Sequence, residues 1–186
     1  MNILRVKIMK CYHNIWNINQ LGIEPDETGK SRIEVDESKI VTINNEVRWM
    51  LGITDRATKE VRIFYLNNEW TKEHILPFIK KNVYTFPVSI RNNIDDDTDN
   101  PATRIYTNSF QTCQISDFNS MGFILHRIKH SISFDQGINH TNIIEGILSR
   151  LKRLCDCFNG LIGKQFYFNN NHTDYFKGYI CAGIFL

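Results

Sequence analysis

Carboxylates drawn together from separate elements can hold two divalent cations about 4 Å apart, an arrangement that activates an attacking oxygen and stabilises a leaving one. Asp36 and Glu145 suit that chemistry. Asp36 stands in the alternating run Arg32-Ile33-Glu34-Val35-Asp36-Glu37-Ser38, and a carboxylate in mid-sheet is costly to bury unless it is paired or metal-bound. The plainer explanation, a side chain on the wet face of a half-buried strand, has the larger prior for an isolated Asp. Glu145 follows Asn142 by three residues at the start of an apolar run, so it also suits the partner of an Asn cap. Lys152 lies two turns further on, which puts Glu145, Ser149 and Lys152 on one polar helix face. An acid and a base there can hold a metal and a phosphate, and an ordinary solvated face has the same pattern.

Two other clusters are rejected. Asp95, Asp97 and Asp99 are spaced like a calcium loop, but the sixth position is Asn100 instead of Gly and the twelfth is Tyr106 instead of Glu. Cys155-x-Cys157 has no second Cys or His pair at ligand spacing to complete a zinc site.

The elements that must position these residues follow from periodicity. The run Arg32 to Ser38 alternates as a half-buried strand does, and Val47 to Ile53 and Val61 to Leu66 are β-branched and aromatic around a turn-prone stretch, so three neighbouring strands are expected. From Thr71 to Val83, Ile75, Leu76, Ile79 and Val83 fall at helical spacing, with Thr71 as N-cap and Lys80 and Lys81 near the end. Val88 to Arg104 is an Asn- and Asp-rich loop closed by Pro101, and Thr103 to Thr107 is a short strand that ends at polar Asn108 and Ser109. Phe123 to Ile132 is read as a further strand carrying His126, Lys129 and His130. Ile144, Ile147, Leu148, Leu151 and Leu154 then form the stripe of an amphipathic helix from Asn142 to about Cys157. This order is α/β and consistent with a ribonuclease-H-like mixed sheet flanked by helices.

The totals set limits. The chain has 186 residues, 42% of them hydrophobic, which is enough for one core and short for two. Lys and Arg number 22 against 20 Asp and Glu, so there is no strong global field and any nucleic-acid contact must come from a local patch. Five scattered cysteines and the lack of an apolar leader predict free thiols in a reducing, intracellular compartment. The apolar run from Gly178 to Leu186 is far shorter than the roughly 20 residues of a membrane span, so no membrane association is expected.

Several runs resemble, in order, motifs of one family. Arg32 to Lys39 looks like "VEIDESK", Arg48 to Ile53 like "QWVFGGI", and Arg104 to Phe110 like "IYTDGW". Lys129 to Ser131 looks like "NHS", His140 to Gly146 like "HTNTIEG", and Leu148 to Arg153 like "WSRLKR". These are motifs of the catalytic DDE domain of Merlin-like, ISXO-type insertion-sequence transposases, and the resemblance covers roughly residues 32 to 160. It implies a ribonuclease-H-like fold, magnesium or manganese as cofactor, DNA as partner, pairing of two copies into a homodimer, and nuclear location in a eukaryotic host. It makes Asp36 the first catalytic and metal-binding acid and Glu145 the third, with Lys152 on substrate phosphate and Asn142, His130 and His140 in support. Lys129, Arg150 and Arg153 complete the expected DNA-binding set.

The departure is at the second acid, where Asn108 occupies the aspartate position. An amide still offers one oxygen but lacks the charge that helps hold two cations close together. The stretch between Asp36 and Trp49 is shorter than the family's and the loop before Arg104 is longer. Residues 1–31 are expected to be a short arm without the family's zinc-ribbon cysteines, 32–165 the catalytic domain and 166–186 its tail. The leading expectation is a transposase-derived domain with impaired catalysis. The alternatives are an active metal-dependent transposase or nuclease, and a non-enzymatic DNA- or protein-interaction module.

Overall fold

β-Branched and aromatic runs pair into one sheet, and the amphipathic segments cover it on both sides. A computed structural model describes residues 20–43, 46–66, 71–86, 102–108, 113–128 and 140–162. Within these, the order is β1 (Arg32–Ile43), β2 (Glu46–Asp55), β3 (Val61–Leu66), α1 (Lys72–Asn82), β4 (Arg104–Asn108), α2 (Ile115–Met121), β5 (Ile124–Ile128) and α3 (Asn142–Ile162). The sheet runs β3-β2-β1-β4-β5. β1, β2 and β3 form an antiparallel meander, while β4 lies parallel to β1 and β5 parallel to β4. Each parallel pairing needs a crossover, and helices α1 and α2 fall in the two connections that make them. This mixed five-stranded α/β sheet is compatible with a ribonuclease-H-like fold.

The two faces of the sheet bury different things. Ile33, Val35, Leu51, Ile53, Ile105 and Leu125 face α1 and α2, where Ile75, Ile79 and Phe118 complete the larger core. Met50 and Ile63 face the other way and pack against Ile144, Leu148 and Leu151 of α3, each such burial being worth roughly 1.5–3 kcal/mol. The apolar stripe of the last helix is therefore seated as its spacing requires; the side chain of Leu154 lies outside the described residues.

Two features depart from the expectations. Helix α2 had no counterpart, because seven residues are too short for periodicity to register. It is bounded instead by local signals, a reciprocal capping pair of Gln114 and Asp117 and a left-handed Gly122 at φ 89°. The strand β1 is not half-buried: Arg32, Glu34 and Asp36 are buried as well as Ile33 and Val35, because α3 packs over Glu34 and Asp36 and Arg32 pairs with Asp26 at 2.9 Å. The segment before β1 is also tied in. Leu21 is in the larger core, bridges Val83 and is followed by Gly22, whose amide donates to Asp55 Oδ2 at 2.7 Å. Among the described residues no helix is long and apolar enough to cross a membrane. The loop Asp95 to Asp99, Lys129 and His130 lie outside the described residues.

α3 reaches the sheet through one glycine. A Cβ on Gly52 would come within 2.5 Å of Ile144 Cδ1 and 3.0 Å of Leu148 Cδ2. Gly52→Ala is expected to lower stability by about 1–3 kcal/mol through overpacking, measured by chemical denaturation. Removing the facing methyl with Ile144→Val should make the double variant less unstable than the sum of the two changes.

Candidate functional site

Asp36 lies near the middle of β1, opposite Gly52 of β2. The parallel register pairs Glu34 with Tyr106 and Val35 with Thr107, so Asn108 follows on β4 beside Asp36 and on the same side of the pleat. That side is the one covered by α3, whose Ile144 stands over Gly52. Glu145 is the next residue of the helix. Asp36, Asn108 and Glu145 thus come from β1, β4 and α3 to one region of one sheet face.

The electrostatics agree with that proximity. Burial pushes the Asp36 carboxyl from its ordinary value of 3.8 up to about 8, and the charges of Glu37, Glu145 and Glu34 push in the same direction. Asp36 is 8% exposed, so the wet-face explanation fails. Glu37, on the opposite side of the strand, is raised to about 7 by burial. A carboxyl held protonated by burial and by neighbouring acids is one that a cation would ionise.

The start of α3 is closely fixed. Asn142 is the first helical residue and not its cap; Thr141 precedes it, and the Thr141 hydroxyl donates to Glu145 Oε1. The first-turn amides that an asparagine cap would serve find their acceptor elsewhere. The amides of Ile143 and Ile144 both donate to Glu34 Oε2 at 3.1 Å. The other oxygen of Glu34 accepts from Arg56 Nε at 2.8 Å, and Arg56 Nη2 donates to the His140 carbonyl. His140 Nδ1 lies 3.4 Å from Glu34 Oε1. The Arg56 guanidinium also sits 4.4 Å from the centroid of the Tyr106 ring, which stacks on His126 at 4.6 Å.

Of the expected DNA-binding residues, Arg150, Lys152 and Arg153 are exposed on α3. Asn142 is exposed and His140 partly so. Sequence reasoning gave no role to Glu34 or Arg56. Glu34 occurs within a motif quoted for its neighbour Asp36, and nothing local in the chain links it to Arg56, 22 positions away.

As a metal site, the donor set is short of charge. Asp36 and Glu145 bring two carboxylates and Asn108 an amide oxygen; among the described residues no three His, Cys, Asp or Glu side chains are grouped to hold an ion. These donors suit one hard divalent cation better than two.

No family model and no curated protein matches the chain. Among solved structures, the chain is similar to a chain of the simian T-cell lymphotropic virus intasome in complex with PP2A regulatory subunit B56 gamma. The identity is 12% and the TM-score 0.45, over 94% of this chain and 55% of the other. The chain therefore spans about half the length of that neighbour.

The raised carboxyls give a pH dependence with a definite sign. The folded state holds the Asp36 and Glu37 protons more tightly than the unfolded chain, so their contribution is complete below about pH 4 and is lost as pH rises toward 8. Asp36→Asn should match the natural chain near pH 4 and exceed its stability near pH 8 by on the order of 1–3 kcal/mol. Denaturation midpoints across that range check it.

Proposed function

We propose that this chain is a transposase-derived domain of the ISXO type whose catalysis is impaired at Asn108. The observation that carries the reading is the meeting of Asp36, Asn108 and Glu145 on one sheet face, from the three elements that the motif resemblance assigns to them. In an intact site of this kind, magnesium or manganese would supply the charge that activates an attacking oxygen and stabilises a leaving one on DNA. Asp36 and Glu145 would bind it as carboxylates, and Asn108 would contribute an amide oxygen. The missing negative charge weakens binding of a first ion and most of all of a second, since two cations close together repel unless the ligands neutralise them.

The exposed Arg150, Lys152 and Arg153 give α3 a local basic strip on a chain of formal net charge +2. That strip is the surface we assign to DNA phosphate. Contacts of this kind are independent of base sequence and weaken with salt. A non-enzymatic interaction module, the second reading, keeps the strip and dispenses with the metal.

Two measurements separate the readings. Calorimetric titration of manganese should show two ions bound by Asn108→Asp and none, or one weakly, by the natural chain; binding by neither would remove the metal reading and leave the interaction module. For DNA, Lys152→Ala should weaken binding to duplexes of unrelated sequence alike and reduce the dependence of affinity on salt by about one ion. An unchanged salt slope would take Lys152 out of the phosphate surface.

A further inference from the structure

Glu34 has no exposed surface and yet takes no part in the chemistry assigned above. Its two oxygens are directed at the start of α3. Oε2 accepts from the amides of Ile143 and Ile144, and Oε1 accepts from Arg56, which in turn donates to the carbonyl of His140. The turn that leads into the helix is thus gripped before Thr141 and after Asn142 by one carboxylate and the guanidinium it holds.

We propose that Glu34, with Arg56, is the positioning residue of the site: it fixes the first turn of α3 on the sheet and so sets where Glu145 stands relative to Asp36. The proposal rests on the metal-site reading above. Its basis is that Glu34 and Asp36 are alternate residues of one strand, on the same side of the pleat and about 7 Å apart along it. The strand that carries the first acid therefore also carries the anchor of the helix that bears the third. Three further contacts work with the anchor. Ile144 rests over Gly52, the cross-strand partner of Asp36; Thr141 orients the Glu145 carboxylate; and Arg56 packs on Tyr106, the β4 partner of Glu34. A helix N-terminus favours a carboxylate through its unpaired amides and its dipole, and a solvent-exposed residue could have met that need. Placing the acid inside, on β1, ties the helix to the active strand.

The alternative is that the buried pair only stabilises the fold, and the test is built to separate the two. Glu34→Gln is compared with the natural chain by NMR, with Arg56→Lys as a milder second variant should Glu34→Gln fail to fold. Amide exchange at Ile143 and Ile144 should rise about tenfold or more relative to Leu148 in either variant, and the contact between the Ile144 δ1 methyl and the Gly52 α-protons should weaken. Manganese affinity is then measured in the Asn108→Asp background. Adding Glu34→Gln should weaken it by about 10–100-fold when Glu145 is present and leave it unchanged when Glu145→Gln is already there.

A lower melting temperature with both NMR reporters unmoved would overturn the proposal. So would the same loss of manganese affinity with and without Glu145. If Asn108→Asp binds no manganese at all, the metal reading fails, and the exchange and methyl-contact results alone decide whether Glu34 positions the helix.

Discussion

A carboxylate with no access to water has to find its partners within the protein, and Glu34 imposes that requirement on everything around it. It is met by the Arg56 guanidinium at the β2–β3 turn and by two amides at the start of α3. Removing one member of such a buried pair typically costs about 3–5 kcal/mol, because the other is left uncompensated. The meander and the last helix, separated by more than 70 residues, are locked together at this point. Gly52 makes the same junction possible sterically, since it leaves the space that Ile144 fills.

The consequence for chemistry is geometric. β1 lies at the centre of the sheet, between β2 and β4, so a residue on it can be approached from a neighbouring strand and from a helix above. Asp36 is approached in both ways, by Asn108 along β4 and by α3 from over Gly52. Its carboxyl is raised to about 8 in that setting. The group is unfavourable to ionise without a counter-charge.

Much of the frame was legible in the chain. The β3 strand has the bounds that its β-branched run suggests, Thr71 stands at the start of α1, and the Ile144-Leu148-Leu151 stripe identifies the buried side of α3. What could not be read is what depends on distant pairing. Alternation in β1 suggested a wet face, and only the packing of α3 on that face shows why Glu34 and Asp36 are inside. Asn142 looked like a cap by type, but the helix starts one residue earlier than that role requires. Asp36, Asn108 and Glu145 were singled out by motif, while Glu34 lay inside the first motif without a role and nothing local tied it to Arg56.

The site proposed above, Asp36, Asn108 and Glu145 one charge short of holding two cations, can be examined with manganese itself. The decisive experiment is anomalous diffraction from crystals of Asn108→Asp grown with manganese. A peak is expected roughly 2.0–2.2 Å from the carboxylates of both Asp36 and Glu145, weak or missing in crystals of the natural chain grown alongside. A peak elsewhere on the molecule, or none in either crystal, would contradict the proposed site.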